Sequence, residues 1–536
     1  MLSRFYLHAR QHVLYLCRLL VALLCIGVTL PAFSGKQPVI LYTDIVSGPV
    51  TGGENGAGTY LSLFGTGFGD SLDDVKVLIN GREAASYKYL GSSKGRPDIQ
   101  QLSVQPGNGI TSGKIAVYVK GQASNTNHTF TVTKGDVYFV SLDGDNESGR
   151  KNNINRPFRT AQHVFNRQDF GPGDTIVLRA GEWDDLGDYE AFLTVHHKTG
   201  KRANPMSILA YPGEDVFINT KGIRGGFNFY KTWGGIVIAG FRVNSNGNDL
   251  VQLQYQTHNI RVINNELFGL WKKSGGSAAI SGNGAHWSLL GNHIHDIGYS
   301  KLFHGIYIDN DNGLGSKYID IAYNHIHEIK GGRAIQLFWK KPEISDIRIH
   351  DNLIYNIDRD GIVVSDNTGS GIYVYNNIVY NTGREVGSGI RVYSDIAKVH
   401  IFNNTFHNPT ISRKQAAIYV ENAAEVSFYN NIVSTLDQQD YFATDVDPAI
   451  SRLSHNLWHG SGPSPASDRF PINSAPMFVD AATNNFCLNQ KSPAIDAGLK
   501  PIIAIKEDFY GNMRPLKKKS SGKNSYDLGA CEYTGE

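Results

Sequence analysis

The chain has 536 residues, of which 19% are charged and 58 are glycine, and its formal net charge is +2. This length is too great for one ordinary globular core, and a charge so close to zero argues against a polyanion such as nucleic acid as a partner. Few charges with many glycines favour a turn-rich β protein over a helical one.

Residues 1–34 have the pattern of a secretory signal peptide. Arg4, Arg10 and Arg18 form a basic segment before an apolar stretch at 19–30. Ala32-Phe33-Ser34 before Gly35 offers a small-x-small cleavage site. The apolar stretch is shorter than the ~20 residues that a membrane span needs. We therefore expect a secreted protein, extracellular or periplasmic, with no stable membrane insertion after cleavage.

Residues 35–135 are predicted to form a small β-sandwich. Short β-like runs at 60–64, 75–79 and 115–119 alternate with Gly, Asn and Asp turns. The sequence Gly58-Thr59-Tyr60, followed by Gly65-Thr66-Gly67-Phe68-Gly69 and Val77-Leu78-Ile79-Asn80-Gly81, resembles the IPT/TIG immunoglobulin-like domains. That resemblance implies a spacer or binding module, so we expect catalysis to lie elsewhere in the chain.

A short amphipathic helix is predicted at the start of the next region. Thr160 suits an N-cap, and Ala161, Val164 and Phe165 would share one face. Such a helix would cover the open end of a stack of strands, whose edges are otherwise unpaired. This opening resembles that of the right-handed parallel β-helix proteins of the pectate-lyase-like superfamily.

A repeat of asparagine fills the centre of the chain. The pattern apolar-x-Asn-x-apolar recurs at spacings of 25 to 32 residues, and a column of isoleucines keeps the same period. A fixed period of this size indicates a solenoid, in which we expect the asparagines to hydrogen-bond from coil to coil. The two columns are Asn265, Asn292, Asn324, Asn352, Asn377, Asn404 and Asn431, and Ile306, Ile335, Ile362, Ile390 and Ile418.

The predicted fold class is therefore all-β. A right-handed parallel β-helix with an N-terminal capping helix covers 136–435, and the sandwich precedes it. Residues 436–536 lose the period and are expected to form a tail that packs on the β-helix. After signal cleavage only Cys487 and Cys531 remain, and in an oxidising compartment they could form one disulfide.

Aligning the coils by the isoleucine column gathers polar residues on the central coils, as a transverse substrate groove would. His304 and Arg333 occupy one column on adjacent coils, and Tyr307 lies close by. A lyase acting on acidic sugars needs a group that neutralises the C5 carboxylate, a base and an acid. We assign Arg333 or a bound cation to neutralisation and His304, Tyr307 or Lys273 to proton transfer. The predicted substrate-binding residues are Trp271, Gln336, Asp360, Arg391 and Tyr393.

A calcium site is predicted in the segment Asp309-Asn310-Asp311-Asn312-Gly313. Its oxygen ligands alternate as they do in calcium loops, which makes Asp309 and Asp311 candidate Ca²⁺ ligands. Turns are also rich in Asp, Asn and Gly for backbone reasons, so a simple turn is the alternative.

Two His-x-His pairs lie one coil apart, His293 with His295 and His325 with His327. Alternation along a strand puts both imidazoles of a pair on one face, where four rings could converge on a metal. The same columns continue as Leu353 and Tyr355, which favours an aromatic stack instead.

The predicted function is that of a secreted lyase that cleaves an acidic, uronic-acid-containing polysaccharide by β-elimination. The chain lacks the paired Asp-Asp with Gly-His-Gly of polygalacturonase-like hydrolases and the Arg-x-Pro-x-x-Arg of the commonest pectate lyases. A C5-epimerase or a glycoside hydrolase is the first alternative, with Asp309 and either Asp360 or Asp366 as the carboxylate pair. A non-catalytic carbohydrate-binding or adhesive surface protein is the second.

Overall fold

The structure is a computed structural model. It describes residues 37–535 apart from 186, 188–190, 197–199, 221–224, 233, 246–247, 271–274, 310–314, 339–343, 366–369, 394–397, 413–414, 422–424, 436–440, 445–450, 461–462 and 517–524. The predicted signal peptide and three predicted site residues, Trp271, Lys273 and Asp311, lie outside the described residues. Among the residues that are described, no helix is long and apolar enough to cross a membrane.

The N-terminal region is a small β domain of two sheets around one apolar core. Strands β1, β3, β7 and β6 form one sheet in that order, and β2, β10, β8, β4 and β5 form the other, with β9 on β8. Alternation in β4 puts Val75, Val77 and Ile79 in the core. The strands are β1 (Val39–Thr43), β2 (Ser47–Gly48), β3 (Leu61–Thr66), β4 (Val75–Ile79), β5 (Arg82–Glu83), β6 (Ser86–Ser92), β7 (Gln100–Gln105), β8 (Gly113–Val119), β9 (Gln122–Ala123) and β10 (Thr129–Val132).

The following region is a parallel β-helix, in which most coils contribute one strand to each of three faces. Every strand pairs in parallel with its equivalent one coil away, and the isoleucine column is in register, with Ile306 opposite Ile335 and Ile362 opposite Ile390. The strands of face A are β14 (Leu193–His196), β17 (Phe227–Tyr230), β20 (Val251–His258), the first part of β23 (Ser277–Leu290), β25 (Phe303–Ile308), β28 (Arg333–Phe338), β31 (Ile362–Ser365), β34 (Ile390–Tyr393), β37 (Ile418–Glu421) and β40 (Phe442–Thr444).

Faces B and C complete each coil. The strands of face B are β11 (Val137–Val140), β12 (Thr175–Leu178), β15 (Met206–Ala210), β18 (Ile236–Ala239), β21 (Ile260–Ile263), the last part of β23, β26 (Lys317–Ala322), β29 (Ser345–His350), β32 (Ser370–Tyr375), β35 (Val399–Phe402), β38 (Val426–Tyr429) and β41 (Ser451–Ser454). Those of face C are β13 (Gly181–Trp183), β16 (Val216–Thr220), β19 (Arg242–Ser245), β22 (Glu266–Leu270), β24 (His293–Ile297), β27 (His325–Ile329), β30 (Leu353–Ile357), β33 (Ile378–Tyr380), β36 (Thr405–His407), β39 (Ile432–Ser434), β42 (Leu457–His459) and β43 (Ile472–Asn473).

The asparagine ladder forms the turn between faces B and C. The Asn352 side chain accepts hydrogen bonds from the backbone and side-chain N–H of Asn324, at 3.1 and 2.9 Å, and donates to the Ile321 carbonyl at 2.9 Å. The same pattern links all seven predicted asparagines and ends on an eighth, Asn456. Parallel coil strands thus continue past residue 435, the end predicted from the period.

Three further elements pack on the β-helix, namely a helix at its start, the small β domain and the C-terminal segment. Helix α1 (Ala161–Asn166) follows the N-cap Thr160 and buries Ala161, Val164 and Phe165 against the first coils. The small β domain packs on face B, where the Arg261 guanidinium donates to the Thr43 and Asp44 carbonyls.

The C-terminal segment contains an antiparallel pair, β44 (Phe478–Asp480) and β45 (Asn485–Leu488). It packs on the β-helix through a buried Arg514, which donates to Asn376 at 2.6 Å and to Glu532 at 2.8 Å. Cys487 and Cys531 are free thiols.

Candidate active site

A cleft of about 400 Å³ opens on face A over the coils of β20, β23 and β25. Strand β23 passes from face A to face B within one continuous run, and a Cβ at Gly282 (φ 136°) would clash with the Leu253 carbonyl oxygen. This turn lines the cleft. Its lining residues are Asp249, Gln252, Gln254, Tyr255, Gly276, Ser277, Ala278, Ser281, Gly282, Asn283, Leu302, His304, Tyr307 and Asp309.

His304 and Tyr307 form one wall of the cleft. Phe303 and Ile306 both belong to the apolar core, so strict alternation breaks at Gly305 and both polar residues face outward. A Cβ at position 305 would lie 2.6 Å from the Ala334 carbonyl oxygen, which explains the glycine there. The two rings stack with their centroids 5.1 Å apart.

The His304 imidazole is neutral at physiological pH. The residue is 6% exposed. Burial, and secondarily the nearby Arg333 guanidinium, lowers its pKa to about 3. Among the described residues, Nδ1 of this ring has no hydrogen-bond partner. A neutral imidazole at a solvent-open cleft can accept a proton from a bound ligand.

Asp249 is the most strongly anchored group in the cleft. Its carboxylate accepts hydrogen bonds from the Ser277 hydroxyl at 3.0 Å, the Ser281 hydroxyl at 2.6 Å, the Gln252 amide at 3.2 Å and the Ala278 backbone N–H at 2.6 Å. Burial raises the pKa of the carboxyl, although these donors oppose the shift. Four donors on two oxygens fix the orientation of this group.

Arg333 lies one coil beyond His304, as the sequence alignment predicted. Its Nε donates to Asp360 at 3.1 Å, and its Nη1 donates to Gln336 at 3.2 Å and to the Lys301 carbonyl at 3.3 Å. Arg333, Gln336 and Asp360 therefore form one network beside the cleft, and none of them is among its lining residues.

Arg391 and Tyr393 lie further along face A. Strand β34 is three coils from β25, or about 14 Å at ~4.8 Å per coil. Arg391 donates to Glu421 at 3.3 Å, and its guanidinium lies 4.8 Å from the centre of the Tyr393 ring. An extended ligand would have to run along several coils to reach both these residues and the cleft.

Asp309 sits at the rim of the cleft. Its carboxylate accepts a hydrogen bond from the Asn283 amide at 3.0 Å, and its carbonyl accepts one from the Ser316 hydroxyl at 2.9 Å. The carboxylate is therefore oriented by the neighbouring coil. Calcium binding by Asp309 and Asp311 stays a prediction.

Sequence reasoning missed Asp249 and its serine partners. Asp249 occupies the same column as His304 and Arg333, because Val251 pairs with Ile280 and Ile280 with Ile306. The column itself was therefore the signal. Titratable side chains are most frequent on the central coils, so the sequence pattern favoured those coils over the one that carries Asp249.

Comparison with known proteins confirms the fold. The family model described as "Right handed beta helix region" matches residues 345–466, and no curated protein matches the chain. The all-β prediction of a right-handed parallel β-helix preceded by a small β domain is thereby confirmed.

The solved structures that match the chain are distant. A complex of XylC with xylose is 11% identical (64% of this chain, 87% of that chain, TM-score 0.39). A GH136 lacto-N-biosidase from Eubacterium ramulus is 11% identical (63% and 67%, TM-score 0.41), and an alginate lyase from Paenibacillus sp. str. FPU-7 is 15% identical (54% and 95%, TM-score 0.38). At these values the likeness does not bear on the reaction.

Proposed function

We propose that the chain is a secreted enzyme that cleaves a uronic-acid-containing polysaccharide by β-elimination in the face A cleft. The stacked pair of His304 and Tyr307 carries this proposal. It puts a neutral imidazole and a phenol hydroxyl side by side on the wall of a polar cleft. These are the two groups that a proton abstraction and a leaving-group protonation require.

In this reaction His304 takes the proton from C5 of the uronate. The C4–O bond breaks, a C4=C5 double bond forms, and the Tyr307 hydroxyl donates its proton to the departing oxygen. The low pKa of the free imidazole keeps it unprotonated. A bound uronate anion would raise that pKa toward the working pH, because a negative charge nearby stabilises the imidazolium.

An anionic sugar also needs a cation at this cleft. Two carboxylates, Asp249 and Asp309, line it, and like charges repel the substrate. Arg333 on the adjacent coil, held by Asp360 and Gln336, is one source of positive charge. A Ca²⁺ ion bound by Asp309 and Asp311 is the other, and it would neutralise the C5 carboxylate directly.

The test is incubation of the purified mature protein with alginate, pectate and chondroitin, with Ca²⁺ or with a chelator. We expect a rise in the ultraviolet absorbance of an unsaturated uronic acid on at least one polymer. No rise on any of them overturns the lyase proposal. Polymer binding without turnover would point to a carbohydrate-binding protein, and C5 inversion without cleavage to an epimerase.

A glycoside hydrolase is the second candidate, because two carboxylates line one cleft. Hydrolysis needs a carboxyl pair flanking the scissile bond, and the structure offers Asp249 with Asp309. Asp360 is paired with Arg333, and Asp366 lies outside the described residues. Burial raises the pKa of the Asp249 carboxyl, which suits Asp249 to the general-acid role in such a pair. Reducing ends without an unsaturated product would support the hydrolase.

A further inference from the structure

Face C carries four imidazoles on two adjacent coils. His293 pairs in register with His325, and His295 with His327. The rings of the first pair stack at 4.5 Å and those of the second at 5.3 Å. Between the two columns, Nε2 of His293 lies 2.9 Å from Nε2 of His327.

Aromatic stacking explains only part of this cluster. One column continues as Leu353 and the other as Tyr355, so the stacked rings fit a ladder that needs no nitrogen. Stacking alone does not bring ring nitrogens together between the columns, where Nε2 of His293 and Nε2 of His327 lie within hydrogen-bond distance. One ring nitrogen from each of His293, His325 and His327 lies within 4.8 Å of the other two, and all three residues are half-buried.

We propose that His293, His325 and His327 bind one divalent transition-metal ion of the zinc class. Imidazole nitrogens suit Zn²⁺, Cu²⁺ and Ni²⁺. Tetrahedral zinc with nitrogen ligands at 2.0–2.1 Å brings those nitrogens to about 3.3 Å from each other. Nitrogens that lie up to 4.8 Å apart therefore need to approach by up to about 1.5 Å on binding, and the His293 and His327 nitrogens at 2.9 Å need to separate by about 0.4 Å. Three protein ligands leave the fourth position to water or to an incoming group.

The surroundings fit a bound cation. His295 is a positioning residue, because its two nitrogens already contact Glu266 at 3.2 Å and Asp296 at 2.9 Å while its ring stacks on His327. Carboxylates that contact or support a ring next to the ion are the usual outer layer of a histidine metal site. Glu266 and Asp296 thus supply negative charge without having to be ligands.

Binding would join two coils and the small β domain. His293 belongs to β24 and His325 to β27, and the His325 ring donates a hydrogen bond to the Gly95 carbonyl in the small β domain. The Tyr355 hydroxyl, 3.0 Å from His325 Nε2, would have to turn away from that nitrogen if it became the ligand atom. The site lies on face C and does not depend on the proposed function of the face A cleft.

The test uses untagged full-length mature protein stripped with a chelator and reloaded with ZnCl₂. Metal content after gel filtration should be one zinc per chain, and zinc should raise the thermal unfolding midpoint. His293→Leu copies Leu353 and His327→Phe copies Phe268, which occupy the same two columns, so each variant keeps the column while removing a ligand. We expect each to weaken zinc binding by at least tenfold. His407→Phe, on the same face but outside the cluster, should bind as the wild type does.

Two results would overturn the proposal. One is a wild-type protein that retains no zinc, and the other is equal zinc retention by wild type, His293→Leu and His327→Phe. Should a variant fail to fold, Co²⁺ bound to the wild type decides the matter. A strong visible band of tetrahedral cobalt supports the site, and the weak spectrum of hydrated cobalt contradicts it.

Discussion

The imidazole of His304 stacks on the phenol of Tyr307 within one strand, with ring planes only 16° apart. Residues three apart in a regular strand point to opposite faces. Here the break in alternation at Gly305 brings both to the cleft, since Phe303 and Ile306 on either side remain in the core. The pair exists because of that local irregularity.

Removing the proton-transfer groups should abolish turnover without unfolding the protein. We expect Tyr307→Phe to lower kcat by roughly 10²-fold or more, the usual contribution of a positioned acid or base, with little change in KM because the ring remains. His304→Ala should have an effect at least as large. The measurement is the initial rate of unsaturated-product formation on the best polymer found.

Tyr419→Phe is the matched control for the activity prediction. Tyr419 pairs with Arg391 in the same outward column of face A, four coils from Tyr307. The Tyr419→Phe variant should keep the wild-type kcat. A Tyr307→Phe enzyme as active as this control would remove Tyr307 from the reaction and leave the acid role to another group.

The period predicted the fold and the coil-to-coil register, but not the shape of the cleft. Because each coil packs only on its neighbours, the alignment correctly placed His304 beside Arg333. The shape of the cleft instead depends on the turn at Gly282 within β23 and on the irregularity at Gly305. Neither follows a periodic rule, so the coil alignment indicated Arg391, three coils beyond β25, and not Asp249.

The asparagine ladder should contribute measurably to stability. Asn352→Ala removes an acceptor from two N–H groups of Asn324 and leaves the buried Ile321 carbonyl without its donor. Each unsatisfied buried group costs about 1–3 kcal/mol, so we expect the free energy of unfolding to fall by about 2–4 kcal/mol. Denaturant unfolding measures this change.

Asn219→Ala tests whether the ladder effect is specific. Asn219 lies on face C and donates at the surface to Glu182 at 2.6 Å, so its loss should cost well under 1 kcal/mol. Equal destabilisation by the two variants would mean that the buried ladder contributes no more than a surface amide.

The C-terminal segment should depend on one buried ion pair. Arg514 and Glu532 are each 3% exposed, and the guanidinium donates to the Glu532 carboxylate. It also donates to Asn376 and to the Gly529 carbonyl. Arg514→Met leaves the Glu532 carboxylate buried without its cation, which typically costs 3–5 kcal/mol. We expect faster proteolysis of the segment after residue 475. Arg452→Met, which removes a largely exposed partner of Glu425, should change nothing measurable.

His350 should make stability fall at alkaline pH. Its Nε2 lies 2.8 Å from Asp320 and its Nδ1 lies 2.6 Å from Asp351, and the ring stacks on Tyr375. Burial alone would lower its pKa, but the two carboxylates raise it to about 9. The folded pKa therefore exceeds the ordinary value of about 6.5. The stabilisation of the folded state by protonated His350 is fully present below pH ~6.5, declines as pH rises and is lost above pH ~9.

The unfolding free energy at pH 6 and at pH 9 measures this contribution. This rise in the pKa of His350 corresponds to on the order of 3 kcal/mol. The free energy of unfolding of the wild type should therefore fall by up to that amount between pH 6 and pH 9. His350→Phe keeps a ring for the column that continues through Tyr375 and Phe402 and removes the titrating group, so its profile should be flatter. His400→Phe, at a histidine on the same face whose pKa burial lowers, should keep the wild-type slope. The same alkaline loss in His350→Phe would assign it to another group.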